Sequence, residues 1–151
     1  MLRRASGADL PAIVALQQAA YARNRPLLGV EPLPLQVDYA GILASHEVWL
    51  AEQAGSLTGI LILEPRADDL LIWSVAVAPT MQGTGLGNSL LAEAEARCRA
   101  LGLARLRLYT GEPLTGNIAW YERHGYRRER VETLADRRIV HMVKHLEGGA
   151  R

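Results

Sequence analysis

Three glycines stand at alternate positions in Gln82-Gly83-Thr84-Gly85-Leu86-Gly87-Asn88, just before a long run with helical periodicity. The first turn of a helix leaves backbone N–H groups without intrahelical acceptors and carries partial positive charge. Glycine has no Cβ to hold a bulky anion away from those donors. The spacing therefore predicts a pyrophosphate site at this helix start. A glycine turn serving only close packing of helix on strand is the alternative. Two common phosphate-binding signatures fail on specific residues. The P-loop requires Lys-Ser or Lys-Thr where this chain has Asn88-Ser89. The dinucleotide fingerprint requires a glycine where Asn88 stands, and the following strand ends in Tyr109 rather than in a ribose-binding acid.

The elements that must position this turn are legible on either side of it. Leu70 to Val77 is apolar enough for a central strand, and Pro79 closes it because proline cannot continue a ladder. Leu86, Leu90, Ala94, Cys98 and Leu101 line one stripe of a helix over Leu86–Leu101, with Gly102 at the expected C′ position. Upstream, Leu2 to Ala5 reads as a short strand. Ser6 and Asp9 have capping-box spacing, and Ile13, Leu16 and Ala20 carry a helix to about Ala22. Asn24 to Pro34, with its prolines, reads as a loop. A second helix is expected over Leu35–Ala44, with Val37, Gly41 and Ala44 on one side. Val48–Glu52 and Leu57–Leu63 flank a hairpin turn. Downstream, Arg105–Tyr109 alternates as a strand, Asn117–Arg123 fits a short helix, and Tyr126–Leu134 with Arg138–Leu146 form an antiparallel pair around Ala135-Asp136. The order is βααβββαβαββ. It predicts an α/β (α+β) fold, a mixed sheet of about seven strands with helices on both faces. One domain over 1–147 and a frayed tail over 148–151 are expected.

Composition narrows the function classes. The chain has 151 residues with 17 Lys and Arg against 16 Asp and Glu, a formal net charge of +1. The single lysine, Lys144, and the arginines are scattered, so no electrostatic footprint for nucleic acid emerges. Arg128 and Arg130, or Arg137 and Arg138, read as solvated strand ends. Cys98 is the only cysteine, which excludes an intramolecular disulfide and a cysteine zinc site. Its place on an apolar helix face reads as a buried small hydrophobe, not a nucleophile. No metal is expected. No apolar run is long enough for a membrane span, and a cytoplasmic location is the expectation.

Gln82-Gly83-Thr84-Gly85-Leu86-Gly87 matches Gln/Arg-x-x-Gly-x-Gly/Ala, and in this it resembles the GNAT superfamily of N-acyltransferases. Val75-Ala76-Val77-Ala78-Pro79 is similar to that family's fourth strand. Asn117-Ile118-Ala119-Trp120-Tyr121-Glu122-Arg123-His124-Gly125-Tyr126 is similar to its downstream motif, one helix and one strand later. The resemblance implies acetyl-CoA as acyl donor, an amine as acceptor, and a possible homodimer. It implies that backbone groups of Val75 and Val77 pair with the pantetheine arm as an added strand would, and that the N–H groups of Gln82, Gly83, Thr84, Gly85, Leu86 and Gly87, with Asn88, hold the pyrophosphate. It further implies that Asn117 contacts the cofactor near its sulfur end and that Tyr121 stands beside the thioester sulfur. Asn117 as a helix cap and Tyr121 as a packed aromatic are the structural alternatives.

An alkylamine is mostly protonated at neutral pH, so its proton must leave before it attacks. Leu70 to Val77 contains no acid. Glu112, just past the fifth strand where the sheet should open, is the first candidate for the base; a solvated loop acid is the alternative. His46, Glu64 and His141 are weaker, and His141 reads as a packed strand histidine. Direct attack in a ternary complex suits a chain without a convincing nucleophile. The competing classes are an acyl-CoA-binding sensor without turnover and a nucleotide-binding regulatory domain. The missing P-loop lysine and ribose acid disfavour the latter.

Overall fold

The computed structural model describes residues 2–146, so the tail expected over 148–151 lies outside the described residues. The strands are β1 (Leu2–Arg4), β2 (Glu47–Gln53), β3 (Ser56–Pro65), β4 (Leu70–Val77), β5 (Arg105–Gly111), β6 (Arg127–Thr133) and β7 (Arg138–His145). The helices are α1 (Leu10–Tyr21), α2 (Arg25–Leu28), α3 (Tyr39–Ser45), α4 (Leu86–Ala100) and α5 (Thr115–Arg123). The seven strands form one sheet in the order β1-β2-β3-β4-β5-β7-β6. All neighbours are antiparallel except β4 and β5.

The sheet's two faces bury different clusters. Successive β3 side chains alternate: Leu61 and Leu63 join Leu90, Leu91, Ala94 and Cys98 of α4 and Ile118 of α5, while Ile60 and Ile62 join Ile13 and Leu16 of α1 and Tyr39 of α3. Cys98 is fully buried in the first cluster, and burial raises its pKa. Helix α4 ends in a Schellman pair: Leu103 N–H donates to Cys98 C=O at 3.0 Å and Gly102 N–H to Arg99 C=O at 2.9 Å, with Gly102 at φ +73°. Leu101, expected on the buried stripe, is the C-cap residue and exposed, because the chain has begun to unwind there.

Several expected boundaries shift: α5 begins at Thr115 rather than Asn117, β5 runs on to Gly111, β3 covers Ser56–Pro65, and the two largest changes lie between α1 and β2. Asn24–Pro34 is not a plain loop, because it contains α2, follows directly on a 3₁₀ turn at Ala22–Asn24 and runs into another at Leu33–Leu35. Helix α3 starts at Tyr39 rather than Leu35, because Asp38 accepts from Ala40 N–H at 3.1 Å and caps it there. Tyr39 is thereby buried and Val37 left exposed.

Two irregularities in β4 open the sheet. The β3–β4 register pairs Ile62 with Ser74 and Leu63 with Ile72, so Trp73 is the extra residue of a bulge. Strands β4 and β5 pair only at Leu70–Leu106 and Leu71–Arg107, then diverge. Beyond that point one edge of β4 has no strand beside it.

Candidate active site

The diverging strands leave two adjoining pockets. The first, about 590 Å³, runs along the free edge of β4 to the start of α4, with Val75, Val77, Gln82, Gly83, Gly85, Gly87, Asn88, Asn117 and Tyr121 among its lining residues. The second, about 110 Å³, lies deeper between β4 and β5 under the α2 segment, lined by Leu28, Pro32, Trp73, Ser74, Tyr109 and Arg137 among others. Five residues line both pockets: Tyr21, Asn24, Val75, Asn117 and Tyr121. A group reaching along one pocket therefore meets a group entering the other at this shared wall.

The first pocket has donors for an extended polyanion. Gly83 and Gly85 hold φ of +81° and +88°, and a Cβ at either would meet nothing within 4 Å, so the space before them is open. Among the described residues, the N–H groups of Gly83, Gly85, Leu86, Gly87 and Asn88 have no backbone acceptor. Gln82 and Thr84 differ from expectation, because their N–H groups turn back to Pro79 C=O and Met81 C=O, each at 3.4 Å. Leu86 presents only its backbone here; a Cβ on Gly59 of β3 would lie 3.2 Å from the Leu86 side chain, which packs inward. Trp120 Nε1 donates to Asn88 Oδ1 at 3.3 Å, tying α5 to the start of α4. Among the described residues Arg23 is the one charged residue lining this pocket, and it donates to Gln82 Oε1 at 2.5 Å.

On β4, Ala78 N–H donates across to Thr58 C=O at 2.8 Å, which turns the alternate positions Val77 and Val75 toward the free edge. Tyr21 OH reaches Val75 C=O at 3.4 Å from that side. Tyr21 is held by a polar network buried in the sheet's other face. Its hydroxyl lies 2.8 Å from Ser74 Oγ, and Gln17 Nε2 donates to Ser74 Oγ at 3.1 Å and to Tyr39 OH at 2.9 Å. Ser74 Oγ is thus occupied and has no histidine beside it to activate it.

Helix α5 supplies Asn117 and Tyr121, one turn apart on the same face. Asn117 does not cap α5, because the N-cap is Leu114. The Tyr121 ring packs against Tyr126 at 5.7 Å and Trp120 at 5.0 Å, yet its hydroxyl has no hydrogen-bond partner among the described residues. Burial, with a smaller contribution from Tyr21, pushes its pKa far above the ordinary phenol value.

A family model for the acetyltransferase (GNAT) family matches residues 12–126. The chain belongs to that family. Among relatives, the mycothiol acetyltransferase of Salinispora tropica is 32% identical over 140 residues, covering 81% of this chain and 42% of that protein. The mycothiol acetyltransferase of Thermobispora bispora is 33% identical over 93 residues, covering 57% and 32%. The chain spans well under half the length of these curated relatives. Among solved structures, the PaiA N-acetyltransferase of Thermoplasma acidophilum in complex with coenzyme A superposes with TM-score 0.79 at 17% identity, covering 96% of this chain and 98% of that one. The ribosomal-protein-alanine N-acetyltransferase of Brucella melitensis gives 0.73 at 23%, covering 97% and 99%. Both likenesses are of fold.

For this GNAT chain, no expected base lies at the shared wall. Glu112 lines neither pocket: its N–H donates to Arg138 C=O at 3.0 Å, its carboxylate pairs with the Arg138 guanidinium at 3.1 Å, and it borders a separate shallow recess. His141 is not simply packed, because its Nε2 lies 2.8 Å from Glu132 Oε1. His46 lies 2.7 Å from Ser45 Oγ, and neither it nor Glu64 lines the two pockets. Nothing in local sequence marks Tyr21 or Arg137, since only the tertiary fold brings them to the pockets. No helix among the described residues is long and apolar enough to cross a membrane.

Proposed function

We propose that this protein transfers an acetyl group from acetyl-CoA to a primary amine by direct attack within a ternary complex. The shared wall between the two pockets carries this reading: a donor and an acceptor meet there with no side-chain nucleophile between them. Acetyl-CoA supplies an activated acyl group as a thioester. The free N–H groups of Gly83, Gly85, Leu86, Gly87 and Asn88 hold its pyrophosphate, and the free edge of β4 at Val75 and Val77 pairs with its pantetheine arm. Asn117 orients the end of that arm, and Tyr121 faces the sulfur.

Among the described residues the pocket walls offer the amine no carboxylate and no histidine. Two other effects neutralise it. Desolvation among Trp73, Tyr109 and Leu28 lowers an ammonium's pKa, and water carries the proton away. A backbone N–H on the free edge of β4 stabilises charge developing on the carbonyl oxygen. Tyr121 donates a hydrogen bond to the sulfur as the thiolate departs.

Melting curves and a coenzyme A release assay over an amine panel test this reading together. Coenzyme A and acetyl-CoA should raise the melting temperature, whereas ATP and NAD at equal concentration should not. Release of coenzyme A should depend on amine. Binding without release on any amine would return the chain to an acyl-CoA sensor, and a larger shift with ATP or NAD would end the coenzyme A reading.

Arg23 bridges from the end of α1 to Gln82 over the phosphate end of the first pocket. Arg23→Ala should weaken coenzyme A binding roughly 3- to 10-fold at low salt and less at high salt, as an exposed charge requires. Titration calorimetry at two ionic strengths checks it.

A further inference from the structure

Among the described residues one charged side chain lines the second pocket, and it is buried. Arg137 lies at the turn between β6 and β7, where Leu134 N–H donates to its C=O at 2.7 Å. Its side chain is only 6% exposed and lines the pocket with Leu28, Trp73, Tyr109 and Ile139. Its neighbour Arg138 is the solvated strand end, at 55% side-chain exposure, so the two adjacent arginines have different fates. Burying a guanidinium is costly unless opposite charge and hydrogen-bond acceptors surround it. Asp136 meets part of that need: its carboxylate accepts from Nε and Nη2, both at 3.0 Å. Asp136 is itself 57% exposed, so it holds the guanidinium from the solvent side. Nη1 makes no hydrogen bond among the described residues. The second pocket thus has a fixed guanidinium with donors to spare and, among the described residues, no acid in its lining.

We infer that the acceptor amine also carries a carboxylate, as an amino acid does, and that Arg137 recognises that carboxylate. The inference rests on the acetyl-transfer reading and adds the substrate class. A planar guanidinium already fixed by a neighbour presents its remaining donors at low entropic cost and matches a carboxylate's geometry. The carboxylate end lies toward Arg137, which leaves the amine to reach the wall shared by Asn117 and Tyr121. An acidic side chain in this pocket would instead have drawn a second ammonium, and none lines it. Arg137 is a specificity residue, distant from the acyl chemistry.

Matched amines test this: glycine, alanine and β-alanine against glycinamide, alaninamide and β-alaninamide, each with saturating acetyl-CoA. The amide's amine is the less basic of each pair, so at fixed neutral pH intrinsic reactivity favours the amide. A preference for the acid must therefore come from the site. With the unaltered protein, kcat/KM should favour the acid of the best-fitting pair by about 10- to 100-fold, the size of a charge-assisted hydrogen-bonded contact. In Arg137→Gln the ratio should collapse toward one, chiefly through KM, and Arg137→Lys should retain an intermediate preference. Melting curves and coenzyme A affinity establish that both variants are folded. The inference is overturned if the unaltered protein shows no preference for the acid, or if the preference survives Arg137→Gln in a folded protein. If no amine is acetylated although coenzyme A binds, the acetyl-transfer reading fails, and the ligand class is read from binding alone. Acids stabilising the coenzyme A-bound protein more than their amides would then sustain it, and equal stabilisation would overturn it.

Discussion

Gly85→Glu should weaken coenzyme A binding by about 100-fold or more in a chain that remains folded, the loss of one or two charge-assisted hydrogen bonds at about 1.5–3 kcal/mol each. Gly85 is the N-cap of α4 with φ +88°, and a Cβ there would meet no protein atom within 4 Å. The side chain therefore projects into the opening where free N–H groups await an anion. It places a carboxylate against a pyrophosphate and covers the donors of Leu86 and Gly87. Part of the effect is backbone strain, because the left-handed conformation costs a residue with a Cβ about 1–2 kcal/mol. For a chain of this size that is a fall in melting temperature of roughly 2–8 °C. Gly85→Ala carries the strain without charge or reach and separates the two terms. Calorimetry should give Gly85→Ala a modest loss and Gly85→Glu a near-complete one. Equal affinities in the two variants would place the phosphates elsewhere.

The phosphate turn was legible because its chemistry is local. A strand, alternate glycines and a helix start are contiguous in sequence, and backbone donors need no distant partner to be exposed. The same holds for the α4 terminus at Gly102 and the β2–β3 hairpin, where Ala54 and Gly55 both take positive φ. The boundary of α3 was less legible. The apolar pattern of Val37, Gly41 and Ala44 competes with an Asp38 cap, and the cap wins because it satisfies an otherwise orphaned N–H.

The deeper half of the site depends on long-range geometry. The Trp73 bulge appears only when β4 is laid against β3. The parting of β4 from β5 appears only when their pairing is seen to stop at Leu71 and Arg107. Tyr21 and Ser74 meet at 2.8 Å across 53 positions of sequence. Glu112 illustrates the converse. It occupies the right end of the sheet, but Arg138, its neighbour across the β5–β7 pair, draws it aside. Arg137 and Arg138 are alike in sequence and opposite in burial, because successive residues at a strand end face opposite ways.

Tyr121→Phe should lower kcat by about 10²–10³-fold, the cost of removing one hydrogen-bond donor to charge that develops in the transition state, with acetyl-CoA affinity nearly intact. The ring keeps its packing against Trp120 and Tyr126; only the hydroxyl is lost. That hydroxyl has no partner among the described residues, so its removal breaks no internal hydrogen bond and the melting temperature should barely move. Turnover and stability are therefore separable at this position. The pKa shift refines the role. Burial first, and Tyr21 second, hold the Tyr121 proton on well above the ordinary phenol range. A group whose acid pKa is raised stays protonated at every pH below it, so Tyr121 remains a donor across the neutral range and contributes no inflection to the pH–rate profile there. A thiol ionises near 8.5, well below such a phenol, so complete proton transfer to the departing thiolate runs uphill. Tyr121 acts instead by a hydrogen bond that strengthens as negative charge gathers on sulfur. With neither a carboxylate nor a histidine among the described residues lining the two pockets, kcat should rise with pH toward the pKa of the bound amine and kcat/KM toward that of the free amine, in the native protein and in Tyr121→Phe alike. Tyr126→Phe is the matched control. It removes a fully buried hydroxyl that also lacks a partner and lines neither pocket, so it should leave turnover unchanged. Full turnover by a folded Tyr121→Phe protein would remove Tyr121 from the chemistry and leave it as one more packed ring beside Tyr126.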